Sequence, residues 1–281
     1  HYLSALAVFD SLVLVDKYLR RLDSLLVATG SPGLLHYYGS AACKLHNFSE
    51  HVCYLMSSWL VLFVTLERFV AVVFPFRKDQ LCRPRSALVA TIVLFAVMSY
   101  TQIFRLIIIE NVDGACTSPD RFLHVFVAMH IYMYQLVLQF MLPAVLILVC
   151  NLIILYKIRQ RYRGQQQTAM EGSVRAHRAA AGNHNKTTVT LLVLSFTYLI
   201  TMLPLVLLSI IIHVSVTTAP ASALYMLKSL NDLRHLLEFI SEFNYAVNFY
   251  IYVMSGAQFR LQLTRICSHK HPPSNRSYEM R

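Results

Sequence analysis

The sequence predicts an all-α membrane protein, and three observations carry that prediction. Of its 281 residues, 56% are hydrophobic and only 14% charged, against about 25% charged in an ordinary soluble domain. Several runs reach the roughly 20 apolar residues that a helix needs to cross a bilayer. The formal net charge of +11 is unevenly spread. Bases cluster at Arg77, Lys78, Arg83 and Arg85, again at Lys157, Arg159, Arg161, Arg163, Arg175, Arg178 and Lys186, and in the tail from Arg260. The loops near 29–42, 110–121 and 214–235 carry few bases or lean acidic. This alternation is the positive-inside pattern of a multi-pass chain. It puts the basic loops and the C-terminus on the cytoplasmic side of the plasma membrane. Nucleic acid is not expected as a partner, because no basic groove or motif accompanies the charge. Bases beside spans suit the anionic lipid of the inner leaflet instead.

Six spans are expected, at about 2–28, 42–74, 86–109, 122–157, 187–213 and 224–254. They are expected as helices, since hydrocarbon offers no water to open backbone groups and the runs lack the alternation of a membrane barrel. The first carries Asp10 among apolar residues, then the charged stretch "VDKYLRRLD". The second runs past Cys43 and Glu50 to "LERFVAVVFPF", placing Glu67 and Arg68 near its end and Pro75 behind them. The fourth contains Pro143, the fifth Pro204, and the last Glu238, Glu242 and "NFYIY". Segment 158–186, rich in Gln, Arg, Ala and His, reads as a mobile loop. Residues 255–267, "SGAQFRLQLTRIC", read as an amphipathic helix along the inner surface, followed by a cytoplasmic tail over 268–281. The chain opens at His1 inside an apolar run, so an upstream segment is expected to precede it.

The six cysteines show no metal-type pair spacing. Cys43 and Cys116 both fall at predicted outer ends, where a disulfide can persist. Cys53 and Cys150 lie within spans as packing residues, and Cys267 is a candidate for S-acylation.

Arg68 follows Cys43 by 25 residues, roughly 37 Å of helix, which exceeds a hydrocarbon thickness of about 30 Å. One helix thus carries a bridgeable cysteine outside and a Glu–Arg pair inside. It resembles the third helix of rhodopsin-like (class A) G-protein-coupled receptors, with "ERF" standing where the family has Asp/Glu-Arg-Tyr. The resemblance extends over almost the whole chain, from the family's second helix onward, and implies a seven-transmembrane bundle whose first helix is not represented here. "LSALAVFD" is similar to the second helix; "QFMLPAVLIL" and "LITMLPLV" resemble the fifth and sixth; "NFYIY" resembles Asn-Pro-x-x-Tyr, with Asn248 and Tyr252 kept and Phe249 in place of Pro. Other departures are Asn151 for the fifth-helix Tyr, Met202 for the sixth-helix Trp, no fourth-helix Trp, and His184 where some members carry an acid.

That resemblance implies roles. Glu67 and Arg68 pair at rest, and activation releases Arg68 as the helix bearing Pro204 swings outward to admit a heterotrimeric G protein, with Asn248 and Tyr252 in the switch. Asp10, Ser57, Asn244 and Asn248 match the family's sodium cluster, whose alternative is a hydrogen-bonded cluster without an ion. Sodium would be an allosteric ligand; no other cofactor is expected.

Candidate ligand residues are Lys17, Arg20, Glu50, Tyr54, Gln139, Met202, Leu205, Glu238 and Glu242. In one reading Lys17 and Arg20 neutralise Glu50 and Glu242 and tie the bundle together. In the other an extracellular ligand replaces or joins one of those pairs, and a peptide carrying charged and amide groups suits so mixed a set. "LERFVAVVFPFRKDQLCRPRSA" with a Pro-less "NFYIY" looks most like receptors for FMRFamide and related neuropeptides. A truncated non-signalling receptor and a channel or transporter are the alternatives; the latter calls for internal repeats, and none is evident. No HExxH or GxSxG motif supports an enzyme.

Overall fold

A computed structural model describes residues 2–31, 33–77, 83–112, 115–168, 174–218 and 224–255. Its elements in order are α1 (Tyr2–Ala28), α2 (Leu34–Val73), a 3-10 turn (Pro75–Arg77), α3 (Pro84–Thr101) and α4 (Ile103–Ile108). There follow a short antiparallel hairpin of β1 (Glu110–Val112) and β2 (Ala115–Thr117), a second 3-10 turn (Asp120–Phe122) and α5 (Leu123–Val127). A π-helical stretch (Ala128–Met141), α6 (Leu142–Thr168), α7 (Val174–Thr218) and α8 (Leu224–Ser255) complete it.

The helix α2 is the axis of the bundle, touching α1, α3, α4, α6 and α7. It is broken at Gly39, whose φ of 67° and ψ of −167° are non-helical, a conformation that only glycine adopts without strain. The long apolar part therefore runs from Gly39 to Val73. Its buried face, with Leu55, Met56 and Leu60, meets Leu6 and Val13 of α1, Ile147 of α6, Tyr198 and Met202 of α7 and Tyr245 of α8. The perimeter is the reverse of a soluble protein's. Val8, Leu12, Leu88, Ile92, Val93, Ile200 and Leu207 are large, apolar and exposed. Contiguous apolar surface of that extent marks a lipid or partner interface.

Pro143 shapes the π-helical stretch. Proline has no N–H, so the carbonyl one turn before it loses its helical donor. That carbonyl belongs to Gln139 and accepts a hydrogen bond from the Tyr198 hydroxyl of α7. Beside it, the Leu138 carbonyl accepts from the Trp59 indole of α2 at 2.9 Å. Side chains from two neighbouring helices thus satisfy carbonyls at the end of the widened turn. At the far end of α2, Arg161 of α6 donates to the Val72 carbonyl at 2.7 Å, a cation at a helix C-terminus where the dipole favours it.

One expectation needs correction. The expected loop at 158–186 is largely helix among the described residues, since α6 continues to Thr168 and α7 begins at Val174. Gln, Arg and Ala are good helix formers, and low complexity does not by itself make a loop. Among the described residues four stretches are long and apolar enough to cross a membrane: Gly39–Val73, Pro84–Ile108, Asp120–Arg161 and Ser195–Ser215. The helices α1 and α8 have the length, at 27 and 32 residues, but their polar and charged residues leave them outside that set. Residues 256–281, with the expected surface helix, Cys267 and the tail, lie outside the described residues.

Candidate ligand cavity, polar core and switch

A cavity of about 880 Å³ opens among α1, α2, the π-helical stretch, α7 and α8. Lys17, Arg20, Glu50, Tyr54, Gln139, Met202, Leu205, Glu238 and Glu242 all line it, so the candidate ligand residues come together at one place. Its floor and walls add His51, His130, Tyr134, Gln135 and Tyr245.

Each acid in the cavity has a basic partner. Glu50 of α2 is buried, ion-paired with Arg20 of α1, and also accepts from the Tyr54 hydroxyl one helical turn on at 2.8 Å. Glu242 of α8 takes both its oxygens to Arg21 Nη2, at 2.7 and 2.8 Å, while Lys17 Nζ stands 4.0 Å away. Glu238 pairs within its own helix, with Arg234 at 3.0 Å and His235 at 3.4 Å. Sequence reasoning named Lys17 and Arg20 as the neutralising bases but left Arg21 out of the candidate site. The signal was available: Arg21 is four residues beyond Lys17, the spacing that puts two side chains on one helix face.

A second buried cation was missed. Arg105 of α4 is fully buried and donates from Nε to Gln102 at 2.8 Å, from Nη1 to Asn47 at 2.9 Å, and meets His130 Nδ1 at 2.8 Å. It also lies over the Tyr134 ring, 4.7 Å from its centre. A lone Arg in an apolar run should have marked this network, because a charge there needs partners. The same end of the bundle holds the Cys43–Cys116 disulfide, which ties α2 to β2 across a separation of 73 residues.

Toward the other end lies the polar core. Asp10 accepts from Ser57 Oγ at 2.5 Å and from Asn248 Nδ2 at 2.7 Å. Asp10, Ser57, Asn244 and Asn248 are all buried. The side-chain oxygens of Asn244 and Asn248 have no hydrogen-bond partner.

At the Arg68 end the expected resting pair is not formed. Among the described residues no ion pair within 4.0 Å joins Glu67 and Arg68, and Arg68 Nε is buried without a hydrogen-bond partner. Consecutive helical residues do not face each other, which is the physical reason. Asn151 of α6 is likewise buried, with Nδ2 unpartnered. Thr65 and Ser195 meet at 3.2 Å and link α2 to α7 here. Pro204 sits inside α7, where it removes a donor to the Ile200 carbonyl. Tyr252 falls in α8, with its side chain, like those of Phe249 and His184, outside the described residues.

No curated protein matches the chain. The family described as 7 transmembrane receptor (rhodopsin family) matches residues 1–252. A disulfide-tied cavity, a buried carboxylate cluster, an Arg at the far end of the central helix and this match over most of the sequence agree, and the chain belongs to the rhodopsin family of seven-transmembrane receptors.

Proposed function

We propose that the receptor binds an extracellular neuropeptide in the 880 Å³ cavity and activates a heterotrimeric G protein at the Arg68 end. The observation that carries this reading is the cavity's mixed lining, in which Glu50, Glu238 and Glu242 each already have a basic partner. A small amine would meet a nearly neutral surface there. A peptide offers cationic, amide and aromatic groups at once, and these match the acids, Gln135 and Gln139, and the rings of Tyr54, Tyr134 and Tyr245. The volume is also at the large end of the range of about 300–1,000 Å³ for ligand pockets. A cationic group on the peptide exchanges with Arg20 at Glu50, or joins Glu238 or Glu242.

Activation needs the ligand to favour one arrangement of the bundle over another, because a ligand shifts an equilibrium only by its differential affinity. Arg68 and Asn151, each with a buried nitrogen lacking a partner, support a second arrangement in which those groups find one. Asp10, Ser57, Asn244 and Asn248 would hold sodium. Their fit is an all-oxygen donor set with one carboxylate and two orphaned amide oxygens, which suits a hard cation.

The test is G-protein activation in cells expressing the receptor, exposed to pools of amidated neuropeptides and to pools of small amines. Activation by a peptide pool is expected, and for that peptide Glu50→Gln should weaken binding by about 1.5–3 kcal/mol, the size of a charged hydrogen bond. Silence to peptides with verified surface expression, or a response to amines alone, overturns the reading.

A further inference from the structure

We infer that Asp16, His46 and Glu50 form a binding site for a transition-metal dication of the zinc class, between α1 and α2 beside the ligand cavity. One ligand atom from each of these residues lies within 4.8 Å of the other two. His46 and Glu50 are one helical turn apart on α2, and Asp16 reaches them from α1. Asp16 Oδ1 and His46 Nε2 are 3.2 Å apart. That is the edge of a tetrahedron, roughly 3.3 Å, whose centre lies about 2.0 Å from each ligand atom as in a zinc site.

An independent observation points the same way. Asp16 Oδ2 is buried and has no hydrogen-bond partner, so the cluster leaves a carboxylate lone pair unused. A cation is the group that such an oxygen lacks. One imidazole nitrogen among two carboxylates selects a borderline metal over calcium or magnesium, which prefer oxygen alone. The Tyr54 hydroxyl bonded to Glu50 at 2.8 Å supplies the kind of outer partner that fixes a ligating carboxylate.

Arg20 stands in the way and can leave. Glu50 is 4% exposed but the Arg20 side chain is 48% exposed, so the guanidinium reaches water without crossing the core. The dication then replaces it, and its two charges balance Asp16 and Glu50. Three protein ligands leave a fourth position open for water or a ligand group. Because Glu50 also lines the cavity, a metal here withdraws an acid from the cavity and hands it a free Arg20.

The experiment uses purified receptor without a histidine tag, in nanodiscs, titrated with Zn²⁺ and separately with Co²⁺. The expected result is a saturable rise in melting temperature with Zn²⁺ and a tetrahedral visible spectrum with Co²⁺. Both should weaken by about 100-fold or more in His46→Gln and in Asp16→Asn, at least the upper end of what losing an outer-shell partner costs. His124→Gln, at an exposed histidine of α5 outside the cavity lining, should leave both unchanged. The metal-free melting temperature shows whether each variant has folded. No metal response, an equal response to Mg²⁺, or a response surviving in both His46→Gln and Asp16→Asn overturns the site. None of these readings involves a peptide, so the metal site is tested separately from the ligand assignment.

Discussion

The two ends of the bundle treat buried charge differently: beside the cavity the acids and bases are paired, with Asp16 Oδ2 and the Tyr134 hydroxyl as unpartnered polar atoms there, while at the Arg68 end a guanidinium nitrogen is itself left over. Around the cavity, Glu50, Glu238 and Glu242 each face a base, and Arg105 has partners for each of its three nitrogens. At the far end Arg68 Nε and Asn151 Nδ2 are buried and bonded to nothing among the described residues. An orphaned buried donor costs about 1–3 kcal/mol, so a fold keeps one only where another arrangement or another molecule satisfies it. The cavity end is thus cross-linked by charge, while the Arg68 end is held ready for change.

Stability measurements on the purified receptor sharpen that contrast. The largest effect is expected from Cys43→Ser, which opens the loop between α2 and β2 and should cost about 2–4 kcal/mol; Cys116→Ser should match it, and unequal costs would deny that the bond is what matters. Next comes Asp10→Asn, which weakens two buried bonds to a carboxylate by about 2 kcal/mol together and should remove any dependence of melting temperature on sodium. A sodium response that persists in Asp10→Asn would remove the ion from the polar core. Glu242→Gln should cost only about 0.5–1 kcal/mol, because its partner Arg21 is 43% exposed and can turn to water. The smallest loss is expected for Arg68→Leu, which should cost nothing and can gain up to about 1–3 kcal/mol, since the buried nitrogen it removes had no partner. A large loss in Arg68→Leu beside a negligible one in Glu242→Gln would reverse the contrast.

Much of this was legible in the sequence, for reasons that particular residues make plain. Apolar runs and basic loops gave the membrane class, because composition and charge sidedness are read directly from residue order. Asp10, Ser57 and Asn248 were grouped on the resemblance alone, and packing brings them within hydrogen-bond distance. The charged halves of α1 and α8 were harder. Which base meets which acid depends on helix rotation, and a shift of one residue decides whether Arg20 or Arg21 reaches Glu242. The Glu67–Arg68 pair was expected from the resemblance; no ion pair joins the two among the described residues, and neighbours in sequence diverge in space on a helix. The Asp16–His46–Glu50 cluster was invisible for the same reason as the ion pairs: His46 and Glu50 are one turn apart, but Asp16 joins them only through packing.

The most direct test of the account measures peptide binding and G-protein nucleotide exchange side by side on Arg68→Glu. The account predicts that peptide affinity is retained, since Arg68 is remote from the cavity lining, while exchange is abolished. Exchange at the level of the unmodified receptor would contradict the role assigned to Arg68 and, with it, the division of labour between the two ends.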